Sequence, residues 1–176
     1  MTPAQRDAAA EITAGPRGNI VGPFIAALRS PEFMRRLQAQ GEYLRFRNAL
    51  GRQLTEFTIL LVARNWTQQF EWAMHVPYAL EQGVRQHTID AIAVGKRPEP
   101  MTAEETAVFE FFVELTATQK VSDAIYARAV AALGEAGVID LIGTIGYYST
   151  LAMILNVAQT PVPDVGTRPL DELSGG

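Results

Sequence analysis

Leu54-Thr-Glu-Phe-Thr-Ile-Leu-Leu-Val-Ala-Arg64, a short break at Asn65-Trp-Thr67, then Gln68-Gln-Phe-Glu-Trp-Ala-Met-His75: the reading of the chain turns on this stretch. Its apolar residues recur at spacings of three and four, the period of a helix, and show no strand alternation. Two helices are predicted, from about Arg52 to Arg64 and from about Asn65 to Gln82, with Gly51 before the first and Gly83 stopping the second. Asn65 and Gln68 have capping-box spacing. So short a connection makes the two helices antiparallel neighbours. Four polar side chains stand out on them: Glu56 on the first, and Gln68, Glu71 and His75 on the second. The last three fall at i, i+3 and i+7, on one helical face.

The helical period continues in both directions. Toward the N-terminus, residues 3–13 read as a short helix closed by Gly15-Pro16, and Phe24 to Leu28 as one apolar turn. Ser30-Pro31 starts a helix that runs to about Arg47, with serine able to cap and proline suited to the first helical position. Toward the C-terminus, a short helix over about 86–94 ends in the loop Gly95-Lys-Arg-Pro-Glu-Pro100. Thr102 and Glu105 form another capping box, Ser122 can cap a helix to Leu133, and a long apolar helix from about 138 ends before Thr160-Pro161. The expected architecture is all-α: one helical domain over residues 1–160, and an extended or disordered tail over 161–176.

Composition narrows the function classes. The 176 residues are 48% hydrophobic and 19% charged, the balance of a globular chain able to build one full core. A net charge of −4 gives no basic footprint for nucleic acid. The polar, alanine-rich segment Met1 to Ile12 lacks a secretory apolar run, so a cytoplasmic location is expected. Val138 to Ala158 has the length of a membrane span, but Asp140, Asn156 and a run of Gly, Ser, Thr and Tyr interrupt it. A buried or subunit-interface helix is the preferred reading, with no membrane partner. There is no cysteine, hence no disulfide, thiolate metal site or thiol nucleophile.

The polar set on the central helices can do acid–base work. Glu56 sits among Leu54, Phe57, Ile59, Leu60 and Leu61, and a buried carboxylate needs a partner, for which His75 is the candidate. Burial raises a carboxyl pKa and a neighbouring carboxylate raises that of an imidazole, drawing both toward neutrality. Glu71 lies near a helix start, where the macrodipole favours its ionised form. The same spacing also suits a purely structural contact. With only two histidines in the chain, no metal site is expected.

Several stretches resemble the carboxymuconolactone decarboxylase family, which shares its fold with the alkyl hydroperoxidase D-type proteins. They are Gly41-Glu-Tyr-Leu-Arg45, Leu54 to Arg64, Phe70-Glu-Trp-Ala-Met-His-Val-Pro77 and Ala79 to Gly83, with Gly22-Pro-Phe24, Ser30-Pro-Glu32, Tyr147-Tyr148 and Asn156 outside them. The resemblance implies a single-domain alkyl hydroperoxidase D-like bundle. In the peroxidase branch the motif is Cys-x-x-Cys-x-x-x-His with a glutamate on the preceding helix. Its cysteine positions fall on Gln68 and Glu71 and its intervening histidine on Phe70, while the glutamate and last histidine are kept as Glu56 and His75. Neither glutamine nor glutamate can replace an attacking thiolate, so thiol peroxidase chemistry is excluded. The Glu-Trp-x-x-His form is similar to the decarboxylase-like branch.

That branch implies a cofactor-independent decarboxylase acting on a small anionic lactone. The implied site has His75 as proton donor, oriented by Glu56 or Glu71, and Arg45 or Arg47 holding a substrate carboxylate. Gln68 is a further candidate contact, and Trp72 and Tyr43 could wall the pocket. The alternative is a non-catalytic, oligomeric small-molecule-binding protein that keeps the fold. A homo-oligomer, trimer or hexamer, follows from the resemblance. The apolar Val138–Ala158 helix points to an oligomer too, since Gly143, Gly146, Ser149 and Ala152 along it would let another helix approach.

Overall fold

Most helices begin where the chain offers a cap, a proline or a glycine. A computed structural model describes residues 1–15 and 18–172, and in them eight helices. They are α1 (Pro3–Ala14), α2 (Pro23–Ala27), α3 (Pro31–Phe46), α4 (Arg52–Asn65), α5 (Gln69–Glu81), α6 (Gln86–Ala93), α7 (Ala103–Thr118) and α8 (Asp123–Val157). No strand occurs among the described residues, so the fold is all-α. Pro3, Pro23 and Pro31 each open a helix, where the missing N–H costs nothing. Both bonds of the Thr102–Glu105 capping box form, and so do those of a second box, Thr2–Gln5. α1 ends at Ala14, before Gly15; Pro16 of the expected stop lies outside the described residues.

The α4–α5 junction departs from the expected capping. Asn65 is the last residue of α4, and Gln68 alone caps α5, its side chain accepting the Glu71 N–H at 3.0 Å. Thr67 makes the turn at a φ of 46°. Ser30 and Ser122 occupy N-cap positions without capping through their side chains; Ser122 instead bonds Glu114. The two helices expected either side of residue 134 form one run, α8, whose direction breaks at Gly134 (φ 72°, ψ 165°), a backbone geometry glycine tolerates best.

α4 is the hub. Every residue from Thr55 to Arg64 is buried, and the helix packs on α5, α7 and α8. α8 is long and apolar enough to cross a membrane by composition, but 56% of its most apolar 18-residue window is buried within the protein. Val138, Leu141, Ile145, Tyr148, Ala152 and Leu155 face the core, while Ile139, Ile142, Met153 and Val157 are exposed.

The last described residues run in an extended path against α5. Pro77 lies inside α5 and cannot donate to the Ala73 carbonyl four residues back. The Thr167 hydroxyl donates to that carbonyl at 3.2 Å. Next to it the Trp72 indole N–H donates to the Arg168 carbonyl (3.2 Å), and Gln69 bonds both the N–H and the carbonyl of Leu170. Arg64 donates to the carbonyls of Ala93 and Asp171. The tail is therefore anchored as far as Asp171; residues 173–176 lie outside the described residues.

Candidate active site

Packing α5 against α4 turns the face carrying Glu71 and His75 toward Glu56. The three side chains line one cavity of about 400 Å³, with Arg45 of α3, Phe70, Met74 and Tyr78 of α5, and Tyr147, Tyr148, Leu151 and Leu155 of α8. Glu56 is 5% exposed and His75 9%, and His75 Nδ1 meets Glu56 Oε2 at 2.7 Å. The tautomer with its proton on Nδ1 donates to the carboxylate and leaves a lone pair on Nε2. The other carboxylate oxygen, Oε1, faces Arg45 Nε at 3.9 Å. Glu56 therefore ties a base to a cation.

Aromatic rings hold both partners in place. The His75 ring meets Tyr148 edge-on at 5.3 Å and Tyr78 at 6.0 Å. The Arg45 guanidinium lies 4.7 Å from the Tyr78 ring centre and 5.4 Å from that of Phe46. Such cation–π contacts contribute roughly 0.5–2 kcal/mol each and restrict where the cation can point. Burial holds the Tyr148 hydroxyl well above its usual pKa, with the nearby Glu56 carboxylate acting in the same sense. A Cβ at position 41 would overlap the Tyr147 hydroxyl, so Gly41 of α3 makes room for this part of the wall.

Glu71 differs from the sequence-based expectation. It is 3% exposed, and neither carboxyl oxygen has a hydrogen-bond partner among the described residues. Burial pushes its carboxyl well above the ordinary glutamate range. The helix dipole does favour an anion here, but by about 0.3–1 kcal/mol. Stripping water from an unpaired carboxylate costs several kcal/mol, so desolvation wins and the neutral acid is favoured.

The remaining predicted residues do not converge on this cavity. Trp72 follows Glu71 by one residue, about 100° around α5, and faces the tail, its indole N–H bonded to the Arg168 carbonyl. Tyr43 and Arg45 are two residues apart and point to nearly opposite sides of α3; the Tyr43 hydroxyl donates to Asp140 at 3.1 Å. Gln68 is occupied in capping α5 and in donating to Asn156 at 2.9 Å. Arg47 pairs with Glu42 on the surface. Sequence reasoning gave no place in the site to Tyr78, Tyr148 and Arg52, which also line the cavity. Two of these carried a signal: a tyrosine inside the apolar Val138–Ala158 run, and a tyrosine three residues after His75, on the same face. Among the described residues no group of three His, Asp or Glu side chains is arranged to hold a metal ion.

No protein-family model matches the sequence, and no curated protein matches it. A solved structure does match: a protein of unknown function from Agrobacterium tumefaciens, put forward as an AhpD antioxidant defence protein. The TM-score is 0.69 at 19% identity, over 78% of this chain and 94% of that one. At such identity the likeness carries the fold, and the chain has the all-helical, single-domain fold of the AhpD-like proteins.

Proposed function

We propose that the protein is a cofactor-independent carboxy-lyase of the carboxymuconolactone decarboxylase type, acting on a small anionic lactone. The observation that carries the reading is the buried His75–Glu56 contact, 2.7 Å long, opening onto a cavity that also holds Arg45. A cavity of about 400 Å³ suits a small molecule. An arginine beside it suits a carboxylate.

The chemistry follows from these positions. The bond between ring carbon and carboxylate breaks, carbon dioxide leaves, and the electron pair spreads to the lactone carbonyl oxygen as a dienolate. His75, carrying a second proton taken from solvent on Nε2, delivers that proton to carbon and returns to the neutral Nδ1–H form. Glu56 holds the imidazole through Nδ1 and stabilises its cationic form during the transfer. The chain contains no cysteine, so the peroxide-reducing thiol chemistry associated with this fold has no nucleophile here. The test is turnover of a carboxylated butenolide, followed by loss of its absorbance, with His75→Ala as control. Activity in the wild type that His75→Ala abolishes supports the reading; an inert wild type sinks it.

The exposed apolar residues Ile139, Ile142, Met153 and Val157 on α8 support a homo-oligomer, trimer or hexamer. Light scattering that returns a monomeric mass at micromolar concentration would defeat that part of the proposal.

A further inference from the structure

Glu71 has no structural work that would explain keeping it. Its side chain caps nothing and bridges nothing: the α5 cap comes from Gln68, His75 and Arg45 turn to Glu56, and Glu42, Arg52, Tyr78 and Glu81, which also line the cavity, make no hydrogen bond to it. Glu56 of α4 takes both His75 of α5 and Arg45 of α3, and the remaining titratable wall from α8 is tyrosine, Tyr147 and Tyr148. An ionised Glu71 would be an unpaired anion sharing a cavity wall with the Glu56 carboxylate. A neutral acid avoids that cost but still leaves an O–H and a carbonyl unsatisfied, each expensive when buried. An apolar side chain of similar size would bring no such unsatisfied groups.

We propose that Glu71 stands in the resting site as a neutral carboxylic acid that donates its O–H to a carbonyl oxygen of the ligand. This rests on, and deepens, the reading of the cavity as a lyase site. It assigns the substrate class by its two ends: an acceptor carbonyl against Glu71, and an anionic group toward Arg45. Turning the carboxyl toward a ligand breaks no existing hydrogen bond, because it makes none. As the carboxylate leaves and charge collects on the lactone oxygen, the Glu71 O–H shortens onto that oxygen and keeps its proton throughout. Buried acids held neutral near pH 7 serve as oxyanion donors for this physical reason: a donor already desolvated needs no reorganisation when the charge appears.

Infrared difference spectroscopy tests the inference without requiring turnover. At pH 7 the wild type should show the carbonyl stretch of a protonated carboxyl, shifted in heavy water and absent from Glu71→Gln. Saturation with a ring-saturated lactone carboxylate, which cannot decarboxylate through a dienolate, should move that band to lower frequency. A band that appears only in the ordinary carboxyl range of acid pH, or one the bound probe leaves unmoved, overturns the proposal. If Glu71→Gln fails to fold, Glu71→Asp keeps a carboxyl at the site and should shift the band's frequency, which assigns it to this position. With the unsaturated substrate, Glu71→Gln keeps a neutral donor and should lose about tenfold in kcat, against roughly 10²–10³-fold for Glu71→Leu. Equal losses would overturn the donor role. An inert wild type removes the lyase reading, yet the band and its shift still decide the state of Glu71.

Discussion

Asp140 and Glu71 are both buried helical carboxyls, 7% and 3% exposed, but their surroundings are opposites. Asp140 on α8 accepts from the Tyr43 hydroxyl at 3.1 Å and from the Ala49 N–H at 2.7 Å. It thereby ties α8 to α3 and to the turn that follows α3. Glu71 on α5 accepts from nothing and sits on a cavity wall. A satisfied buried carboxylate holds elements together; an unsatisfied one costs stability. Glu56 stands between the two, buried yet partnered by His75, and partnered in a way that leaves a ring nitrogen for chemistry.

The largest test separates chemistry from scaffold. His75→Ala and Glu56→Gln should each cut turnover of a carboxylated butenolide by roughly 10²–10⁴-fold, the usual contribution of a positioned acid–base group. Their far-ultraviolet circular dichroism should stay unchanged. Loss of helical signal in step with activity would make the contact a structural one and break the distinction.

Asp140→Ala should behave in the reverse manner. It leaves the Tyr43 hydroxyl and the Ala49 N–H without an acceptor, at a cost of about 2–4 kcal/mol in urea unfolding. Turnover per folded molecule should hold. A stability change below about 0.5 kcal/mol would show that the Asp140 bonds tie nothing together.

Glu71 gives a pH signature of predictable sign. Its folded-state pKa is raised by burial above the ordinary value of 4.5, so folding favours the neutral form. Below the ordinary value folded and unfolded chains are both protonated, and the group's contribution is intact. As pH rises through that value, the unfolded chain ionises while the folded one does not, and stability falls until the raised value is reached. Glu71→Gln cannot ionise, so relative to its own difference near pH 4 it should gain steadily on the wild type as the pH rises toward 7. Parallel stability curves across this range would contradict the assignment of a neutral acid.

The smallest effect concerns the tail. Thr167→Val removes the hydroxyl that satisfies the Ala73 carbonyl and should cost about 0.5–1.5 kcal/mol. Pro77→Ala supplies a backbone N–H for that carbonyl, so in its background the Thr167 substitution should cost less. Additive losses in the double-mutant cycle would mean that the tail docks for some other reason.

The helices were legible because their signals are local. Pro31, the Thr102–Glu105 box and the three- and four-residue apolar spacing act within one or two turns. The pairing of Glu56 with His75 was legible for a related reason: a three-residue turn at Trp66–Gln68 leaves two consecutive helices little choice but to lie side by side. Even the anchorage of the tail had a trace in the sequence, since Pro77 inside a helix announces a carbonyl in need of a donor. Nothing local, however, identifies Thr167, 94 residues further along the chain, as that donor.

The all-helical framework, the lack of any thiol and the candidacy of Glu56 as a partner of His75 thus needed nothing beyond the order of residues; that Glu56 rather than Glu71 meets the ring was decided by packing. Which faces look into the cavity depended on packing. Trp72 and Tyr43 turned away because one or two residues along a helix rotate a side chain by about 100° or 200°, so only the packing partner says which direction is inward. Packing also raised the pKa of Glu71. The helix dipole that favours its ionised form is local and can be read from position in the chain. The desolvation that outweighs it comes from the cavity wall, assembled from helices far apart in sequence, and exists only once the chain has folded.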